Sequence, residues 1–184
     1  MISVLSLPRH DGLCATTRLG RLRPCVDAAT AKDWVLLGLA GVVAATLSTL
    51  LDFSLKIPGH AILRAVFPMA AGLALVPRRG AGAVMGLAAG VAVAGFHLSG
   101  LTGHGLGGGA MTSLLATGPL LDAALWRVRT GWQLWAGCAA AGLLANLLAF
   151  LVRGASKMQL GSSVTFQAWL SRAPVSYLLC GLLA

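Results

Sequence analysis

The side chains of this chain that are able to do chemistry are few, and they gather in short stretches between apolar runs. The stretch LDFSLKIPGHAILRAVFP, residues 51–68, puts Asp52, Lys56, His60 and Arg64 at every fourth position beside a Pro58-Gly59 break. On a continuous helix that spacing would align all four on one face. Pro58-Gly59 makes a continuous helix improbable, so the stretch reads as a loop that carries charge to the mouth of a helical bundle. Asp52 closes one apolar run, Lys56 and His60 project from the turn, and Arg64 can snorkel up from the next run. Two roles fit: anchoring at a membrane interface, or recognition of a small polar or charged solute.

Two further stretches carry polar groups that belong with this cluster. HLSGLTGHGLGGG, residues 97–109, supplies His97 and His104, and the connection 153–172 supplies Lys157 and Gln159. With Asp52, Lys56, His60 and Arg64 these are the candidate binding residues. A nucleophilic enzyme needs Ser or Cys with a base and an orienting acid. Ser99 stands two residues from His97, but no acid lies beside them, and there is no GxSxG, HExxH, Walker A run or paired carboxylate. No catalytic residue is assigned and no enzyme is expected. His60, His97, His104 and Asp52 converging at one mouth would suit zinc, nickel or cobalt. No spacing demands a metal, and hydrogen bonds to backbone or water are the plainer fate, so neither metal nor cofactor is expected. Cys14, Cys25, Cys138 and Cys180 form no CxxC pattern and imply no disulfide framework.

The elements that must hold these groups follow from composition. Of 184 residues 57% are hydrophobic and 10% charged, with mean hydropathy +0.83. Soluble domains carry about 25% charge, so the chain reads as an all-α integral membrane protein. Six apolar runs serve as spans: 33–53, 61–77, 81–98, 110–126, 131–152, and 173–184, with a start nearer Val164 as the alternative for the last. Residues 1–32 hold Arg9, Arg18, Arg21, Arg23 and Lys32 without the apolar core of a signal peptide. They are expected to form a disordered cytoplasmic tail, or a segment lying on anionic lipid, ahead of a transmembrane domain at 33–184.

The formal charge of +9 would suggest nucleic acid in a soluble protein. Here no basic patch is interleaved with aromatics, and the cations sit where they set topology. With the N-terminus cytoplasmic, the tight turns PRRG (77–80) and RVRTG (127–131) fall inside together with the tail, and the longer polar connections fall outside. The expected location is the inner (plasma) membrane, multi-pass. Small residues recur every fourth position at Ala40 and Ala44, at Gly82, Gly86 and Gly90, and at Ala141, Ala145 and Ala149. Such stripes let helices approach in lipid, either within the bundle or against another subunit. Asp122 follows Gly118-Pro119, read as a break in the fourth span, and is expected to pair with Arg127 or Arg129. Asn146 is expected to bridge neighbouring helices.

Six spans, cytoplasmic termini, basic inner turns and polar outer loops resemble the substrate-binding S components of energy-coupling factor (ECF) vitamin transporters. The KIPGH turn at 56–60 and the ATGPLLDAALW stretch at 116–126 look like S-component sequence, and Ala40 and Ala44 match that family's Ala-x-x-x-Ala docking pattern. The resemblance covers roughly 33–184. It implies capture of a vitamin or similar small solute near the outer surface, among 54–60, 97–109 and 153–163. It also implies a coupling membrane subunit, docked at Ala40 and Ala44, and two ATPase subunits, since this chain has no nucleotide site. The rivals are a self-sufficient small permease or channel and a non-transporting scaffold subunit.

Overall fold

The computed structural model describes residues 10, 30–49, 59–101, 106–126, 131–159 and 163–184. Asp52, Lys56 and His104 lie outside them. The described residues form six helices and no strand: α1 Ala31–Thr49, α2 Ala61–Leu75, α3 Ala81–Leu98, α4 Gly108–Leu125, α5 Gly131–Gln159 and α6 Ser163–Leu183. Three of them, α1, α3 and α5, are long and apolar enough to cross a membrane.

The starts of the helices follow from local chemistry. Ahead of α1 the Thr30 amide donates to Asp33 Oδ2 at 3.0 Å while the Asp33 amide donates back to the Thr30 carbonyl. The carboxylate of the first turn thus reaches back to the amide ahead of the helix, half of a capping box, and places a negative charge on the positive helix end. Between α2 and α3 the chain reverses in five residues. The Val76 amide donates to the Gly72 carbonyl, and Gly80 takes φ +87° to aim the chain into α3. We call the end carrying this turn the lower end.

α2 lies at the centre and touches every other helix, while α1, α3, α4, α5 and α6 follow one another around it in an arc. Small residues set the spacing. A methyl group on Gly82 of α3 would overlap the Gly118 carbonyl of α4, and one on Gly118 would overlap the Gly82 carbonyl. Gly41 presses α1 onto the Met85 carbonyl of α3, and Gly142 and Gly181 bring α5 and α6 together. Ala141, Ala145 and Ala149 are buried along α5.

Several sequence expectations need correction. Pro119 does not break the fourth span, because α4 runs from Gly108 to Leu125 through it. The Leu115 carbonyl that Pro119 leaves without its usual intrahelical donor faces α3 at Gly86, where a methyl carbon would stand 3.0 Å from it. Lys157 and Gln159 are not on a loop, because α5 continues seven residues beyond the expected 152. That extension contains no proline, and Ser156 Oγ donates to the Val152 carbonyl at 2.9 Å, satisfying its hydroxyl within the helix. The sixth helix takes the earlier of its two expected starts. Ala44 is fully buried in the main core, and Ala40 is half-buried where a methyl on Gly72 of α2 would meet its Cβ at 2.9 Å. The stripe expected to dock a partner packs inside the bundle instead, and Ala44 has no surface to offer.

Candidate functional site

The upper end is built from the start of α2. Gly59 has φ +89°, and a Cβ on it would stand 2.9 Å from Asn146 Nδ2 and 3.1 Å from Tyr177 Cα. The turn into α2 therefore rests on the middle of α5 and α6. There Asn146 Nδ2 donates to the Tyr177 carbonyl at 2.7 Å, and both residues are buried. Phe150 stands edge-on to the Tyr177 ring at 5.4 Å. Asn146 thus joins two helices, as its position in an apolar run led us to expect.

His60 immediately precedes α2, and Arg64 follows one turn later. Arg64 Nη2 lies 3.2 Å from His60 Nε2. A guanidinium only donates, so Nε2 is the acceptor in this contact. Both side chains are half-buried. The first amides of α2 have no intrahelical acceptor, and with Arg64 they make the start of this helix a positive region.

The start of α2 is also sunk within the bundle. Gly59 packs at the level of Asn146, whereas Gly109, at the start of α4, packs against Ala149 and Arg153. At 1.5 Å per residue along α5 this places the first turn of α2 about 5–10 Å deeper than that of α4. Ser113, one turn below Gly109 on the same face of α4, is buried and its Oγ makes no hydrogen bond.

Of the residues expected at the site, the structure joins His60 and Arg64 directly. His97 is exposed in the last turn of α3, Lys157 is half-buried near the end of α5, and Gln159 is exposed at its last residue. None of these three hydrogen-bonds the His60–Arg64 pair. Among the described residues no three His, Cys, Asp or Glu side chains come together as a metal-binding group.

At the lower end one residue escaped the sequence reading. His10 is buried, with Nε2 3.1 Å from Asp122 Oδ1 and Nδ1 3.2 Å from the Leu125 carbonyl. The other carboxylate oxygen, Asp122 Oδ2, accepts from the Ala83 amide at 3.1 Å. Arg127 and Arg129, the expected partners of Asp122, lie outside the described residues. No spacing links positions 10 and 122. The one available signal was an acid in an apolar run that needs a donor from the same membrane face.

The chain matches no family model, no curated protein and no solved structure.

Proposed function

We propose that the chain is an integral membrane bundle that captures a small polar or anionic solute at its upper end, as the substrate-binding subunit of an ECF-type importer. A coupling membrane subunit and two ATPase subunits would drive uptake, and the N-terminus would be cytoplasmic. The membrane reading is supported by an inverted surface. Large apolar side chains such as Leu87 and Val91 are 70% and 73% exposed, while Asp122, Asn146, Ser113 and Thr117 are buried. Water would penalise apolar faces of that extent and lipid would not. Exposed Trp126, Trp132 and Trp135 collect at the lower end with Arg79 and Lys32, the aromatic and basic pattern of a cytoplasmic membrane interface.

The observation that carries the solute reading is the His60–Arg64 couple at the sunken start of α2. A positive helix end and a guanidinium below the level of the neighbouring helix favour a carboxylate or another anion. Native mass spectrometry of the purified protein tests for a retained small molecule. With that molecule in hand, calorimetry on His60→Ala and Arg64→Ala should show affinity weakened by about tenfold or more, about 1.4 kcal/mol, with helicity retained. Unchanged affinity in both would reduce the pair to an interfacial anchor. Uptake into liposomes by this chain alone would make it a self-sufficient permease.

A further inference from the structure

We propose that Ser113 binds the solute directly, its hydroxyl completing a cradle of hydrogen donors that takes a carboxylate at the start of α2; this role rests on solute capture at the upper end. Ser113 is 1% exposed, and its Oγ has no hydrogen-bond partner. A hydroxyl inside a helix can be satisfied by the carbonyl four residues before it. Thr112 donates in this way to Gly108, Thr117 to Ser113 and Ser156 to Val152. The Gly109 carbonyl stands at the same offset from Ser113, yet the Ser113 hydroxyl does not turn back to it. Its Oγ is therefore aimed away from the backbone of α4, into the bundle. A buried hydroxyl left in that state bears its full desolvation cost, and a ligand that accepts from it removes that cost.

The face of α4 that carries Ser113 looks toward the first turn of α2. Residues 109, 113, 116 and 120 share one side of that helix. Gly109 packs against Ala149 and Arg153 of α5. Ala116 and Leu120 pack against the cluster that Ile62 and Val66 of α2 form with Ala145 of α5. Ser113 stands between these two contacts, about 6 Å below Gly109 along α4. On α5 that is the level of Ala145 and Asn146, and Gly59 rests on Asn146. The hydroxyl and the start of α2 therefore share one level. The groups gathered there give hydrogens. The first amides of α2 and the Arg64 guanidinium, which reaches back to His60 at 3.2 Å, can only donate, and the Ser113 hydroxyl has no acceptor of its own. A carboxylate answers them with two oxygens and about four acceptor sites. A neutral carboxamide of the same shape would turn its own NH2 toward donors. Ile62 and Ala145 offer an apolar wall beside the carboxylate.

Two probes of one shape, benzoate and its neutral isostere benzamide, test this on the full chain in lipid nanodiscs, with binding read by saturation-transfer NMR. Wild type should bind benzoate at least about tenfold more tightly than benzamide. Ser113→Ala should weaken benzoate binding by about tenfold. Its melting temperature without probe should stay level or rise, because the substitution deletes a buried hydroxyl that has no partner to lose. A hydroxyl that only supports the fold would give the opposite pair, a lower melting temperature with benzoate affinity unchanged, and that result would overturn the role of Ser113. Arg64→Ala separates this role from solute capture itself. If Arg64→Ala weakens benzoate binding and Ser113→Ala does not, the site at α2 stands and Ser113 has no part in it. If benzoate does not bind, or binds all three proteins alike, solute capture at the start of α2 fails and the role of Ser113 fails with it. Equal affinity of wild type for benzoate and benzamide would overturn the choice of a carboxylate.

Discussion

The side chains that decide most here are Gly59, Asn146, His60 and Arg64. Gly59 carries a double constraint, a φ of +89° and no room for a Cβ beside Asn146 Nδ2. Gly59→Ala should therefore lower stability by about 1–3 kcal/mol, read as a lower melting temperature in detergent, and should weaken solute binding by displacing His60. Asn146→Ala removes one interhelical bond, and such bonds average about 0.6 kcal/mol within membranes. Its melting temperature should fall by less than that of Gly59→Ala; a larger fall would mean that Asn146 holds more than the Tyr177 carbonyl. At this scale the sequence was partly legible. His60 and Arg64 stand four apart, and the helix geometry that follows Gly59 brings them together. The His10–Asp122 contact was not legible, because it depends on how a tail returns to the bundle across 112 positions, and no local periodicity encodes that.

Among the helices, α3 was read to the residue, since Gly80 and Ser99-Gly100 bracket an unbroken apolar run. The errors came where a local rule met a tertiary answer. Gly118-Pro119 signals a break in isolation, but α3 packs against that face, and Gly118 is what lets Gly82 approach. Gly118→Leu should force α3 and α4 apart and cost well over about 1–3 kcal/mol, seen as aggregation or lost helicity on purification. Gly38, with nothing within 4 Å of its Cβ direction, provides the control, and Gly38→Leu should be tolerated. The Ala40–Ala44 stripe was assigned to a partner because spacing alone does not say which way a small face points. Its burial makes a different prediction. Ala44→Leu should destabilise the isolated protein, whereas exposed Leu39 should accept Ala with little change. If Ala44→Leu folded normally and lost only a coupling subunit, the docking assignment would return.

At the scale of the whole molecule, composition spoke most clearly, and three of the helices it marked are long and apolar enough to cross a membrane. The six apolar runs became six helices. The sides of the membrane are a separate matter and rest on charge: the lower end carries Lys32, Arg78 and Arg79 with three exposed Trp residues. If the positive-inside rule applies, that end is cytoplasmic and the start of α2 lies toward the outside. Two single cysteines in a background with the native cysteines replaced by Ser would decide it. Ser99→Cys lies at an exposed position of the upper end, and Gly131→Cys lies at an exposed, uncrowded position of the lower end. In intact cells an impermeant maleimide should label the first and reach the second only after permeabilisation. The reverse pattern would turn the candidate binding site toward the cytoplasm and remove the case for solute capture from outside. Labelling of both without permeabilisation would mean that the bundle does not separate two compartments, and the inverted surface would then have to be covered by protein rather than lipid.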